Sequence, residues 1–100
     1  MYTWLIRGAT VVDGTGRPGF RGDVAISGDR IVEVGRRIAD PSDATLEAHD
    51  LILAPGFIDI HSHTDLGVFE RPLAESKVRQ GVTLEVTGNC GIGAFPVEPQ

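Results

Sequence analysis

Short runs of alternating apolar and polar residues fill the first half of the chain. The clearest is VAISGDRIVEVG, in which strand-like runs over residues 24–27 and 30–34 flank Gly28-Asp29, a dipeptide typical of two-residue hairpin turns. Further strand-like runs cover residues 3–6, 9–12, 45–48 and 51–54. Short strands separated by turn residues predict a small β-sandwich or roll in this half of the chain.

The pattern changes at Pro55-Gly56. FIDIH predicts a strand of about five residues, residues 71–81 carry apolar side chains at helical spacing and end on Gly81, and VTLEVTG predicts a second strand. Strand, helix and strand make one βαβ segment, in which the two strands run parallel. Because one helix cannot cover both faces of a parallel sheet, residues 56–100 predict only the opening of a larger α/β domain.

Four polar residues follow one another at every second position where the first of these strands ends. They are Asp59, His61, His63 and Asp65. On a continuing strand they would share one face, with alternate Cα atoms about 6.6 Å apart, and two imidazoles at that spacing can converge on one metal ion. A plain polar rim is the alternative. The position at the carboxyl end of a strand favours a ligand pair, because sites of α/β proteins gather there.

Cys90 follows the second predicted strand, in the sequence TGNCGIG. The carboxyl ends of parallel strands meet at the same edge of a sheet, so this thiol is expected near the two histidines. A thiolate there would complete a His/His/Cys set of the kind that zinc accepts. The alternative is a small structural cysteine among ordinary turn glycines, and the pattern by itself leaves both open.

Composition narrows the class of protein and its partners. The sequence is 41% hydrophobic and 23% charged with a net charge of -5, which predicts a soluble globular protein and argues against nucleic acid as a partner. No apolar run approaches the roughly 18 residues of a membrane-spanning helix, so no membrane partner is expected. The start, MYTWLIRGATVVDG, lacks the plan of a signal peptide, so we expect a cytoplasmic location.

Several of these stretches together resemble a known family. LIRGATVVDGTG, GDRIVEVG, LAPGFIDIHSHTD and GVTLEVTGNCG are similar to the amino-terminal portion of the amidohydrolase superfamily. The Asn-Cys-Gly after the second strand narrows the resemblance to the N-acyl-D-amino-acid deacylases, also called D-aminoacylases. The resemblance covers essentially all 100 residues.

The resemblance carries expectations for fold and site. It implies that residues 1–55 are part of a small β-sandwich and that residues 56–100 begin a (β/α)8 TIM barrel. It also implies that His61, His63 and Cys90 bind the metal site, with one or two Zn²⁺ ions in the intact protein. The general-base aspartate and two further histidine ligands are expected beyond residue 100, so no catalytic residue is assigned within the chain.

The implied activity is zinc-dependent hydrolysis of the amide of an N-acyl-D-amino acid, giving a carboxylate and a D-amino acid. The 100-residue chain alone is expected to be inactive and to self-associate, because it would contain only pieces of two domains. Two alternatives stay open. One is a cyclic-amide hydrolase of the dihydroorotase or hydantoinase type. The other, if the chain truly ends at residue 100, is a non-catalytic β-rich interaction module.

Overall fold

The computed structural model describes residues 1–93, and they are rich in β-strands, which confirms the predicted β-rich class. The chain divides into two compact units, Met1–Pro55 and Gly56–Gln100. The boundary falls at Pro55-Gly56, where the sequence pattern changes. A complete (β/α)8 barrel is not shown by the described residues, and it stays a prediction.

Residues 1–55 form a single five-stranded sheet. Its strands are β1 (Tyr2–Val11), β2 (Phe20–Ser27), β3 (Arg30–Gly35), β4 (Ser42–Glu47) and β5 (Ile52–Leu53). The order is β3-β2-β1-β4, and β5 pairs with the far end of β1. Strands β1, β2 and β3 pair antiparallel, whereas β4 and β5 both run parallel to β1. The first unit thus provides one sheet, and the β-sandwich stays a prediction.

Local turn chemistry predicts the β2–β3 hairpin correctly, and it fails at β1. Ser27 pairs with Arg30 across the predicted turn, in which Gly28 has a φ of 60°. The two short strands predicted over residues 3–12 are instead one strand of ten residues. Its pairing register shifts between Ile6 and Ala9, where Gly8 has a φ of 71°. The glycine that divides the sequence pattern is therefore an irregularity within a continuous strand.

A small core and one buried carboxylate hold the first unit together. Leu5, Ala25 and Ile38 form the core cluster and are at most 2% exposed. The side chain of Asp23, a residue only 6% exposed, accepts hydrogen bonds from the backbone N–H groups of Gly8 and Ile38, each at 3.0 Å. This carboxylate therefore ties β1 and the segment after β3 to β2, and it satisfies one buried and one partly buried backbone donor.

The second unit has the predicted parallel strand pair. It contains β6 (Phe57–Asp59), α1 (Thr64–Gly67), α2 (Glu75–Val78), β7 (Val82–Glu85) and a 3₁₀ turn (Asn89–Gly91). Strands β6 and β7 pair parallel, and Asp59 lies opposite Glu85 in the register. The carboxyl ends of the two strands therefore meet at one edge, as the βαβ pattern predicts.

Both the first strand and the helix of this unit are shorter than predicted. Strand β6 ends at Asp59, two residues before His61. The helix predicted over residues 71–81 is the single turn α2, because Pro72 disfavours helical backbone in the residue before it and Ala74 has a left-handed φ of 43°. The two helices of the described chain have four residues each and are too short to cross a bilayer.

Candidate metal centre

His61, Ser62 and His63 form a short loop between β6 and α1. Because β6 ends at Asp59, the predicted alignment of alternate residues on one strand face is wrong beyond that point. Asp65, in particular, lies in the first turn of α1. The loop nevertheless brings the two imidazoles together, with ring centroids 5.6 Å apart and ring planes at 68°.

Cys90 approaches this loop from the turn after β7. Its Sγ atom lies 3.3 Å from Nε2 of His61. Its backbone is left-handed, with a φ of 59°. Residues other than glycine adopt this conformation only at a cost in free energy. Gly88 and Gly91, on either side, also have positive φ, and the Asn89 side chain donates a 2.9 Å hydrogen bond to the carbonyl oxygen of Val86. The turn thus directs the thiol back toward the end of β6.

The three residues offer a ligand set that fits zinc. One side-chain ligand atom of each of His61, His63 and Cys90 lies within 4.8 Å of the others, and all three residues are exposed. In tetrahedral zinc sites with nitrogen and sulfur ligands, bond lengths near 2.0–2.3 Å place the ligand atoms about 3.3–3.6 Å apart. The sulfur–nitrogen distance already falls in that range, and a small movement of the side chains would bring in the third ligand. The donor chemistry and the spacing therefore suit a zinc ion.

A second group of polar side chains lies beside the histidine loop. Oε1 of Glu85 accepts hydrogen bonds from the hydroxyl groups of Ser62 and Thr64, both at 2.9 Å, and lies 3.3 Å from the Lys77 ammonium. Lys77 also forms a close ion pair with Asp59. The sequence pattern alone gives no role for Glu85. The available signal was that Asp59 and Glu85 are the last residues of two parallel strands, which places two carboxylates side by side.

Hydrogen bonds and opposite charges within this group shift the pKa values of its members so that the ionised forms are favoured. Hydrogen bonds to Asp59 and Glu85 raise the pKa of Lys77. The Lys77 ammonium, followed by the backbone N–H of His61, lowers the pKa of Asp59. Hydrogen bonds from Ser62 and Thr64, together with Lys77, lower the pKa of the Glu85 carboxyl. With side chains 18–32% exposed, these groups stay ionised at neutral pH and are screened less than fully exposed pairs.

The lowered pKa of Glu85 predicts a loss of stability in acid. Its folded-state pKa lies below the ordinary value of 4.5, so the stabilisation is complete above that pH and is lost as the pH falls through the folded value. We expect acid unfolding, followed by circular dichroism, to depend less steeply on pH in Glu85→Gln. Glu75→Gln is the matched control, because Glu75 is exposed and pairs only loosely with Arg79, at 3.9 Å. Equal changes in both variants would contradict this expectation.

Comparison with known proteins gives close relatives over nearly the whole chain, although no protein-family model matches it. The chain is 49% identical to N-acyl-D-glutamate deacylase of Alcaligenes xylosoxydans xylosoxydans over 92 residues, which are 92% of this chain and 19% of that protein. A solved D-aminoacylase structure, described for its binuclear metal centre, gives a TM-score of 0.91 at 39% identity and covers 97% of this chain and 20% of that one.

A further solved relative contains both metal and inhibitor. It is N-acyl-D-glutamate deacylase from Bordetella bronchiseptica, complexed with zinc and a phosphonate that mimics the tetrahedral intermediate. Its TM-score is 0.88 at 41% identity, and the match covers 95% of this chain and 20% of that one. Over nearly its whole length, the chain is similar to the N-acyl-D-amino-acid deacylases and D-aminoacylases of the amidohydrolase superfamily, which confirms the resemblance that the motifs predict. It spans about a fifth of the length of the relatives it matches.

Proposed function

We propose that the chain is part of a zinc-dependent hydrolase that cleaves N-acyl-D-amino acids to a carboxylate and a D-amino acid. The observation that carries the proposal is the convergence of His61, His63 and Cys90 within 4.8 Å. It occurs in a sequence 49% identical to an N-acyl-D-glutamate deacylase over 92 residues. Because the chain spans only 19% of that relative, activity and substrate are proposed for the whole protein.

In this proposal the two imidazoles bind as neutral nitrogen donors and Cys90 binds as a thiolate. Zinc in such a site supplies Lewis acidity toward the scissile carbonyl and lowers the pKa of water. The Cys90 thiol must lose its proton on binding, so metal uptake by these residues releases protons and weakens as the pH falls. All three side chains are exposed, which leaves this edge of the second unit accessible to a small substrate.

The remaining parts of the proposal concern the whole protein. We assign the first unit to part of a small β-sandwich and the second to the start of a (β/α)8 barrel, whose sites lie at the carboxyl ends of its strands. Strands β6 and β7 present the candidate centre at their carboxyl ends, in keeping with that rule. We assign two further histidine ligands and the general-base aspartate to the protein beyond residue 100, with one or two Zn²⁺ ions in the intact protein and a cytoplasmic location.

The test uses the protein expressed from its complete gene. Zinc is measured in the purified protein, and hydrolysis is assayed with N-acetyl derivatives of D-glutamate, D-aspartate and D-leucine beside their L-enantiomers and a dihydropyrimidine. We expect bound zinc and cleavage of a D-substrate, lost on chelation and restored by zinc. Cleavage of the cyclic amide alone would support the hydantoinase type instead. A zinc-free, inactive protein that self-associates with concentration would support the interaction module.

A further inference from the structure

We propose that Glu85, Lys77 and Asp59 are positioning residues, which hold the loop of residues 61–63 in the conformation that presents its histidines. The inference rests on the proposed metal site. None of the three is proposed as a ligand, and Glu85 and Lys77 act on the histidines only through other groups. Their effect is therefore expected on metal affinity and geometry rather than on the identity of the ligands.

The first link is made through Ser62, the residue between the two histidines. Ser62 is only 5% exposed, although both of its neighbours are exposed. Its hydroxyl donates to Glu85 Oε1 at 2.9 Å, and its backbone N–H donates to the carbonyl oxygen of Val86 at 3.1 Å. Ser62 is thus fixed to the end of β7 by both main chain and side chain. Rotating the loop would break both hydrogen bonds, so this anchor fixes the direction of the residues on either side.

The second link is made through Asp59, at the end of β6. One of its carboxylate oxygens accepts a hydrogen bond from the backbone N–H of His61 at 3.1 Å, and the other pairs with Lys77. Its main-chain carbonyl accepts a 2.8 Å hydrogen bond from the N–H of Val86. Asp59 therefore holds the start of the loop at His61. Asp59 is itself bonded to Val86, the residue that also binds Ser62 at the centre of the loop.

Lys77 joins the two links. Asp59 and Glu85 are direct partners in the β6–β7 register, and like charges in that position repel. The single ammonium of Lys77, on α2, pairs with both carboxylates and offsets that repulsion. Removing it would leave two adjacent carboxylates without their shared counter-ion, so the hydrogen bonds that these carboxylates accept from the loop depend on this one side chain.

Residues that orient metal ligands without touching the metal typically change metal affinity by about 10–100-fold when replaced. The test compares Glu85→Gln, Lys77→Met and Ser62→Ala with the control Glu75→Gln in the protein from the complete gene. Zinc affinity is measured by competition with a chelator, and the absorption spectrum is recorded after loading with Co²⁺. We expect about 10–100-fold weaker zinc binding in the first three variants. The control should stay within about twofold, because exposed pairs contribute little.

The spectrum separates positioning from a general loss of stability. We expect the Co²⁺ ligand-field bands to shift in Glu85→Gln while the thiolate-to-metal band stays, because Cys90 has no hydrogen bond to Glu85 among the described contacts. Hydrogen exchange in the metal-free protein should be faster at residues 61–63 in Glu85→Gln than in Glu75→Gln. If Glu85→Gln does not fold, Ser62→Ala decides, since it removes the hydroxyl that ties the loop to Glu85 and leaves both ion pairs in place.

The outcomes are distinguishable. A parent protein that binds no zinc overturns the proposed function, and this inference with it. A parent that binds zinc, with variants that bind it as tightly and show the same Co²⁺ bands, overturns the positioning role alone. Weaker binding in Glu75→Gln equal to that in Glu85→Gln would also overturn it, because the effect would then belong to any lost glutamate charge in this unit.

Discussion

Replacing His61 with alanine is expected to lower zinc affinity by more than about 100-fold and to abolish hydrolysis. Residues that only orient metal ligands already change affinity by about 10–100-fold, so losing a ligand should cost more. His61 is the central member of the cluster. Its Nε2 atom lies 3.3 Å from Cys90 Sγ, and its ring lies 5.6 Å from that of His63. The measurement is chelator competition on the protein from the complete gene, together with its rate on an N-acyl-D-amino acid.

The chain offers a matched control in His49, the one of its three histidines that does not belong to the cluster. His49 belongs to the first unit, its side chain is 60% exposed, and its Nε2 lies 3.0 Å from Glu47. His49→Ala removes the same imidazole at a position outside the cluster, and zinc affinity and hydrolysis should be unchanged. If His61→Ala retains both at the level of His49→Ala, the assignment of His61 as a ligand is wrong.

Replacing Asp23 with alanine is expected to destabilise the first unit by about 2–5 kcal/mol. The carboxylate accepts two backbone hydrogen bonds, from Gly8 and Ile38, and the Ile38 bond is buried. Each buried donor that loses its partner costs about 1–3 kcal/mol, and a charged acceptor makes these bonds stronger than average. The destabilisation is expected to extend across the sheet, because the two donors belong to β1 and to the segment that follows β3.

Hydrogen exchange of the β1 and β2 amides measures this effect locally, even in a longer polypeptide. Asp23→Asn keeps one acceptor oxygen and sets an amide NH₂ against the other donor, so it should lie between wild type and Asp23→Ala. Asp43→Ala is the control, since Asp43 is exposed on β4 and such surface changes usually stay within about 0.5 kcal/mol. Protection in Asp23→Ala as strong as in the control would contradict the proposed role of the buried carboxylate.

The elements that the sequence predicts well are those with local causes. The β2–β3 hairpin follows from Gly28-Asp29, and the left-handed φ of Gly81, at 82°, agrees with its expected place after the helix. The single long β1 could not be read locally. Gly8 interrupts the alternation, and the strand is continuous because neighbouring strands pair with it on both sides of that residue.

The candidate site shows the same division between local and distant causes. The sequence names His61, His63 and Cys90 from their place after two strands, although the histidines lie on a loop rather than on a continuing strand. Local sequence patterns do not predict the ion pair between Glu85 and Lys77. It depends on the register of β6 against β7 and on the packing of α2 beside these strands, which residues distant in the sequence determine.

The central place of β1 has a consequence for how the protein is synthesised and engineered. Strand β1 pairs parallel with residues as late as Leu53, so one of its edges stays unpaired until β4 and β5 have been synthesised. Such distant pairing slows folding and leaves the strand exposed to wrong partners. The N–H of Tyr2 already bonds the carbonyl oxygen of Pro41. Any segment that directly precedes Tyr2 therefore enters at the middle of the sheet, so a domain fused there needs a flexible spacer.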